Sequence, residues 1–230
     1  MGSDEDNGGI GTLQERSLHA SLKEWYQEPG DEIEVSVDGY VIDIVRSKLL
    51  IEIQTRNFGA MKKKLTNLLP NHRIRIVYPI PRVRWVVRET LEGQEISRRR
   101  SPRKMNVLSV FEELVSIPTL LNHWNLELEV VEVFEEQIMQ NDGKGSWRRK
   151  GWSNVDRRLI EVSERHLFKK PQDLLSLIPP DLESPFTNAD LAKALGGSNR
   201  IAQKMTYCLR KMDVLATRGK KGNARLHVFQ

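Results

Sequence analysis

The sequence has a single cysteine and no long apolar run, and each absence narrows the class of protein. One cysteine, Cys208, cannot form an internal disulfide, so the chain suits a reducing compartment. No stretch approaches the roughly 20 apolar residues that cross a bilayer, and the acidic start "MGSDEDNGGIG" lacks the basic and apolar regions of a signal peptide. We therefore expect a cytoplasmic protein with no membrane partner.

Charge, in contrast, is plentiful and mixed in sign. The 230 residues include 36 lysines and arginines against 31 aspartates and glutamates, a formal net charge of +5 that favours an anionic partner such as nucleic acid. A chain of this length can bury one substantial core or two modest ones, and two are favoured, with the basic, aromatic stretch "QNDGKGSWRRKGWSN" as the best candidate for a boundary. We predict a disordered tail over residues 1–10 and two domains, 11–145 and 153–230.

The first domain is predicted to be α/β with a mixed sheet. Apolar residues at helical spacing predict a helix over 12–26, and "EIEVSVDGYVIDIVRSKLLIEIQT" alternates polar and apolar residues as three antiparallel strands do. A helix over "NFGAMKKKLTNLL" and a strand over "HRIRIVYPI", ended by Pro79 and Pro81, follow. The remainder predicts a strand pair around Gly93, a short helix and a strand over "LELEVVEVFEEQIM".

Three polar residues interrupt these apolar strands at positions where carboxylates can converge. Glu52 and Gln54 share one face of their strand, and the preceding strand brings Asp43 onto a neighbouring row. Two carboxylates in a weakly solvated site need a positive charge between them, and oxygen ligands suit a hard cation such as Mg²⁺. Such a metal activates water for attack on a phosphodiester. The alternatives are a strand ion pair for Asp43 and a solvated strand face for Glu52 and Gln54.

The order of these elements resembles the PD-(D/E)XK nuclease superfamily. Asp43 stands at the family's aspartate and Glu52-Ile53-Gln54 at its acid-x-lysine, while "GTLQERSLHASL" is similar to the start of helix one in archaeal Holliday-junction resolvases. The resemblance covers residues 11–79 and implies a restriction-endonuclease-like core. It also implies that Glu15, Asp43 and Glu52 hold Mg²⁺ or Mn²⁺. The alternative for Glu15 is an early-turn acid favoured by the helix dipole.

Glutamine in place of the family's lysine is the main departure from the pattern. By the resemblance Gln54 positions the attacking water, but a neutral amide supplies no charge. The other candidates for that charge are basic: Arg56, Lys62, Lys63 and Lys64. Of these, Arg56, Lys62 and Lys63 are also predicted to contact nucleic acid.

The C-terminal part is predicted to be a winged helix-turn-helix domain. Short helices over "VDRRLIEVSERHLF", "PQDLLSLI", "TNADLAKAL" and "SNRIAQKMTYCLRKM" precede a hairpin over "VLATRGKKGNARLHVF". Thr187 and Ser198 are the expected N-caps of the last two helices. Basic and amide side chains predict a DNA contact surface there: Arg200, Gln203, Lys204, Arg218, Lys220 and Lys221. Winged helices also bind proteins, and that alternative stays open.

These patterns together predict a Mg²⁺-dependent deoxyribonuclease. It would hydrolyse phosphodiester bonds through a metal-activated water, with the C-terminal domain docking duplex or branched DNA. The alternative is a catalytically inactive nuclease-like scaffold that acts as a DNA-binding regulatory protein. Nucleases that cut both strands are often paired, so a homodimer is one open arrangement, and the choice between DNA and RNA also stays open.

Overall fold

The computed structural model describes residues 11–103 and 105–230, and for residues 11–17 it describes the backbone only. The predicted tail over residues 1–10 and the side chain of Glu15 therefore lie outside the described residues. Within the part of the chain that is described, none of the helices has the length and apolar character of a membrane span.

Helices and strands alternate in the first half of the chain. The order is α1 (Gly11–Tyr26), β1 (Glu32–Val37), β2 (Tyr40–Arg46), β3 (Leu49–Ile53), α2 (Phe58–Leu68), β4 (Arg73–Glu89) and β5 (Glu95–Arg100). The predicted sequence of a helix, three strands, a helix and a strand is confirmed. An Asp-Gly pair, with positive φ at both Asp38 and Gly39, makes the tight turn between β1 and β2.

The second half contains longer strands and shorter helices. A 3-10 turn (Val107–Val110) leads into α3 (Phe111–Leu114) and is followed by another (Leu120–Asn122). Then come β6 (Leu126–Asn141), a 3-10 turn (Trp147–Arg149), β7 (Trp152–Phe168), a 3-10 helix (Pro171–Leu177), α4 (Asn188–Ala194), α5 (Asn199–Lys211), β8 (Leu215–Lys221) and β9 (Ala224–Phe229).

Seven strands of the described chain form one mixed sheet. Its order is β1-β2-β3-β4-β6-β7, and β5 pairs with β4 as an additional strand. β1, β2 and β3 are antiparallel neighbours, whereas β3 and β4, joined by α2, run parallel. The predicted α/β class with a mixed sheet is therefore confirmed. The hairpin of β8 and β9 forms a separate two-stranded sheet.

The chain divides into two compact units, each assembled from separate stretches. The first contains the described part of Met1–Pro29 with Pro79–Asn106 and Val131–Glu164. The second contains Gly30–Tyr78, Val107–Val130 and Arg165–Gln230, and so includes β1–β3, α2, α4, α5 and the C-terminal hairpin. The sequence-based domain limits, 11–145 and 153–230, stay a prediction.

The amphipathic helices bury the faces that their sequences predict. On α2 the buried residues Phe58, Met61, Leu65 and Leu68 follow helical spacing. Thr187 caps α4 and Ser198 caps α5, because each side chain accepts a backbone N–H from the first helical turn. Both N-cap predictions are therefore confirmed.

The predicted end of β4 at its prolines is wrong. Gln54, which follows β3, donates its backbone N–H to the carbonyl of Val77 at 2.9 Å. In a parallel ladder the next hydrogen bond between these strands would need a backbone N–H from residue 79 of β4. Pro79 has no N–H and ends the pairing with β3, yet the strand itself continues through Pro81 to Glu89. Prolines here mark a change of strand partner, since β4 pairs with β5 from Trp85 onward.

The predicted helix over "VDRRLIEVSERHLF" is also wrong, because this segment is the long strand β7. Its arginines reach buried glutamates of β6: Arg157 donates to Glu135 at 2.7 Å, and Arg165 forms an ion pair with Glu129. These partners lie 22 and 36 residues away in the sequence. Long-range pairing therefore decides the conformation of a segment whose local spacing also fits a helix.

Candidate active site

The candidate site lies where β2 and β3 stop pairing regularly. In their antiparallel register, Ile44 opposite Ile51 is the last regular pair toward the start of β2. One step further along this register places Asp43 opposite Glu52. The two carboxylates are therefore cross-strand neighbours, at the point where the strands diverge and backbone groups become available to side chains.

Each carboxylate takes a hydrogen bond from the backbone of the other strand. Asp43 Oδ2 accepts the N–H of Ile53 at 2.8 Å, and the backbone of Asp43 donates to the carboxylate of Glu52. These bonds replace the ladder bonds that the diverging strands no longer make. The side chains are thus held by the sheet itself and not by mobile loops.

A lysine from α2 completes the cluster. The ammonium of Lys64 forms an ion pair with Glu52 Oε1 and donates to the carbonyl of Val41 at 2.6 Å. The neighbouring Lys62 and Lys63 are exposed, as is Arg56. Helical geometry therefore points Lys64 toward β2 and β3, and its role as the source of the missing charge stays a prediction.

Burial and like charge disturb the ionisation of Glu52. Burial, followed by the negative charge of Asp43, raises the pKa of Glu52 to about 7, although the hydrogen bond and charge of Lys64 oppose the shift. The raised pKa means that the ion pair with Lys64 does not outweigh burial and the neighbouring carboxylate. Two adjacent carboxylates offer the oxygen ligands that suit a hard divalent cation, which Asp43 and Glu52 are placed to hold.

The side-chain amide of Gln54 is hydrogen-bonded to the turn that precedes α2. Its Nε2 donates to the carbonyl of Arg56 and, at 3.5 Å, to that of Asn57, whose backbone is left-handed with φ of 56°. The amide therefore braces the turn that starts α2. Its role in positioning a water stays a prediction.

Sequence reasoning missed a second group of buried acids, on β6. In the second unit Glu127 accepts from Arg73 at 2.8 Å and from Arg75 at 2.7 Å, and Arg75 also lies 3.3 Å from Glu129. Although burial pushes the pKa of Glu127 upward, the hydrogen bonds from Arg75 and Arg73 lower it. The alternation of glutamate with apolar residues in "LELEVV" was the available signal, but it does not identify the arginine partners.

The first unit repeats this pairing with other residues. Glu135, fully buried on β6, forms ion pairs with Arg84 and, at 2.7 Å, with Arg157. Farther along the same unit, Glu89 of β4 pairs with Arg158 at 2.8 Å. Guanidinium groups from neighbouring strands offset the charge of these acids. We therefore interpret them as members of structural ion pairs and not as metal ligands.

The predicted DNA contact residues lie on α5 and on the β8–β9 hairpin. Exposed side chains belong to Arg200, Gln203, Arg218, Lys220 and Lys221, and Lys204 is half-buried. The opposite face of α5 is buried through Ala202, Met205, Cys208 and Leu209. Contact with DNA stays a prediction, and the exposure of these residues permits it.

Comparison with known sequences identifies the family. Residues 16–169 match the family described as "Domain of unknown function (DUF8091)", and the chain belongs to it. The matched span ends one residue after β7. A curated relative, an "Uncharacterized protein" of Treponema pallidum (strain Nichols), is 30% identical over 219 residues, which cover 95% of this chain and 86% of the relative. No solved structure matches the chain.

Proposed function

We propose that this member of the DUF8091 family is a divalent-metal-dependent DNA endonuclease, with a core of PD-(D/E)XK type and a C-terminal winged helix that binds DNA. The observation that carries the proposal is the pair Asp43 and Glu52 at the divergence of β2 and β3, with Lys64 bound to Glu52. Support comes from the element order α1-β1-β2-β3-α2-β4 and the parallel pairing of β3 with β4.

Asp43 and Glu52 would hold the cation. A bound Mg²⁺ or Mn²⁺ would lower the pKa of a coordinated water and offset the negative charge of the phosphate. Because the pKa of Glu52 is about 7, this carboxylate ionises fully once positive charge offsets Asp43. The two side chains then present fixed oxygens on one edge of the site.

Lys64 supplies the charge that Gln54 cannot. An ammonium has three N–H donors, and two of those on Lys64 go to Glu52 and to the carbonyl of Val41. The third is left for the scissile phosphate or for the attacking water. Lys64 therefore takes the electrostatic role that the superfamily gives to the lysine of its acid-x-lysine motif.

The C-terminal helices and hairpin would dock the duplex. Arg200, Gln203 and Lys204 follow one side of α5, a surface that fits a major groove. Arg218, Lys220 and Lys221 lie on the exposed β8 edge of the hairpin, where they can bind backbone phosphates. Such phosphate contacts predict DNA affinity that falls steeply with added salt.

Nicking of supercoiled plasmid tests this proposal. With Mg²⁺ or Mn²⁺ the wild type should nick the plasmid, while Asp43→Ala, Glu52→Gln and Lys64→Met should each slow nicking by at least about 100-fold. Lys48→Met is the control, because Lys48 is an exposed lysine of the turn between β2 and β3 and is not among the predicted nucleic-acid contacts. Plasmid binding should persist in every variant. Nicking that survives Asp43→Ala, or that needs no metal, would overturn the assignment.

One observation favours the second candidate, a catalytically inactive DNA-binding regulator. The chain lacks the lysine of the acid-x-lysine motif, and the amide of Gln54 is engaged in the turn before α2. An inactive scaffold should show salt-sensitive DNA binding without nicking. Its melting temperature should also be independent of Mg²⁺ and Mn²⁺, whereas a ligand that binds only the folded state raises the melting temperature.

A further inference from the structure

The second unit contains a cavity of about 470 Å³ between α4, α5 and the C-terminal hairpin. Eight of its ten lining residues have polar side chains, and these include Asn188, Gln203, Thr206, Arg210, Arg225 and His227. Among the described residues, the lining contains two arginines and no carboxylate. A volume of this size is within the range of small-molecule sites, and its chemistry favours an anionic, hydrogen-bonding ligand.

A buried hydrogen-bond network forms one wall of the cavity. His227 is only 1% exposed, and its Nε2 lies 3.1 Å from Oδ1 of Asn188, which also accepts the hydroxyl of Thr206 at 2.7 Å. Because Asn188 Oδ1 is an acceptor, Nε2 of His227 carries the proton. Nδ1 is therefore the acceptor nitrogen of the ring.

Two buried atoms of this wall lack a partner within the described part of the chain. They are Nδ1 of His227 and Nε of Arg210, one an acceptor and the other a donor. Buried polar groups in folded proteins are nearly always hydrogen-bonded. A donor and an acceptor left unmatched in residues that line the same cavity therefore point to a ligand with complementary groups.

The charges around His227 define the ligand further. Burial first, and then the charges of Arg210 and Arg225, lower the pKa of His227, so the ring stays neutral at pH 7. Positive charge in the cavity thus comes from the two arginines. A group that accepts from guanidinium and sits beside a hydroxyl or amino group, as a phosphate does on a sugar, meets all of these requirements.

We propose that this cavity binds a phosphorylated ligand of mononucleotide size, with the phosphate at Arg210 and Arg225 and a ligand hydroxyl or amino group donating to His227 Nδ1. The amides of Asn188 and Gln203 supply further contacts for a sugar or base. This site is separate from the acidic cluster of Asp43 and Glu52 and goes beyond the proposed nuclease function. The same phosphate chemistry has two sources, a free nucleotide and the backbone of DNA lying on α5.

Calorimetric titration of the 230-residue chain tests the first source, a free nucleotide. AMP, GMP, CMP and UMP are titrated beside inorganic phosphate, and at least one nucleotide should bind about tenfold more tightly than phosphate alone. Arg210→Gln and Arg225→Gln should each weaken that nucleotide by about tenfold or more. Lys211→Gln is the matched control, because Lys211 lies on the same helix outside the cavity and outside the predicted DNA surface, and it should leave nucleotide affinity within about twofold.

A second substitution guards against a folding defect. Arg210→Lys keeps the positive charge and removes Nε, so it should retain the wild-type melting temperature and still weaken the nucleotide measurably. Absence of binding by all four nucleotides would overturn the proposal. If binding is absent but Arg210→Gln weakens duplex affinity, the cavity serves the DNA backbone and the free-ligand assignment is wrong. Nucleotide binding that survives both arginine-to-glutamine changes would overturn it as well.

Discussion

Glu52 on β3 and Glu127 on β6 are both buried, with 7% and 4% of their surface exposed, but their pKa values shift in opposite directions. Burial and the charge of Asp43 raise the pKa of Glu52 to about 7. For Glu127 burial also acts upward, yet hydrogen bonds from Arg75 and Arg73 outweigh it and lower the pKa. The two glutamates differ in their neighbours: Glu52 has the ammonium of Lys64 and the carboxylate of Asp43 beside it, whereas two guanidiniums bind Glu127.

The ionised form of Glu127 is therefore stabilised by its surroundings, whereas the ionised form of Glu52 is destabilised by its surroundings. Glu127 has its counter-ions within the fold, so it needs no further ligand. At Glu52, burial and the charge of Asp43 outweigh the ion pair with Lys64. A buried carboxylate with a raised pKa beside a second acid is a candidate for binding a cation, whereas Glu127 of β6 is not.

Removing an arginine should make Glu127 behave like Glu52, and this is the largest effect expected. Arg75 contacts both Glu127 and Glu129, so Arg75→Met leaves two buried carboxylates underpaired and should lower the free energy of unfolding by about 3–5 kcal/mol. Urea unfolding at pH 7 measures the loss. Arg73→Met is the control: Arg73 is 57% exposed and its loss should cost under about 1 kcal/mol. Equal losses would contradict the comparison.

Removing the charge of Glu52 should instead raise the free energy of unfolding. The folded pKa of about 7 lies above the ordinary 4.5, so the stability that this group contributes is fully present below pH 4.5 and is lost as pH rises through 7. Glu52→Gln mimics the protonated acid. Without metal it should raise the free energy of unfolding at pH 8 by at most about 3 kcal/mol, a figure that already includes the opposing ion pair with Lys64.

Denaturation at two pH values checks this result. Near pH 4.5 the Glu52→Gln protein and the wild type should have nearly equal stability, because Glu52 is then protonated in the folded wild type. Asp43→Asn, which removes the neighbouring charge that helps raise the pKa of Glu52, should narrow the difference at pH 8. A Glu52→Gln variant that is less stable than wild type at pH 8 would show that Lys64 already satisfies Glu52.

Metal binding should release the proton that Glu52 holds, a smaller but more specific effect. Because the carboxylate must ionise to bind a cation, Mn²⁺ binding at pH 6 should release up to about one proton, and almost none at pH 8.5. Calorimetry in two buffers of different ionisation enthalpy measures the release. Glu52→Gln should abolish it. Binding at pH 6 without proton release would place the cation elsewhere.

The candidate site was largely predictable because it depends on local geometry. Tight turns join β1, β2 and β3, so their register follows from the sequence, and the alternation of side chains then places Asp43 beside Glu52. The turn at Asp38 and Gly39 and the N-caps at Thr187 and Ser198 were predictable for the same reason. Each of these features joins residues that are close in the chain.

The remaining features depend on partners that are far apart in the chain. Lys62, Lys63 and Lys64 are equivalent in a sequence pattern, and only the packing of α2 brings Lys64 to Glu52. β4 pairs with β3 up to Val77 and with β5 from Trp85, and it also pairs with β6, so it continues through its prolines.

The sequence by itself determined the mixed α/β class, the strand order through β4 and the neighbouring carboxylates, since short turns and side-chain periodicity act within a few residues. Only the tertiary structure decided which lysine reaches Glu52, which acids of β6 have arginine partners and that residues 152–168 form a strand. The physical reason is that the ionisation of a buried carboxylate depends on the number and distance of the charges around it, and folding brings those charges from distant segments.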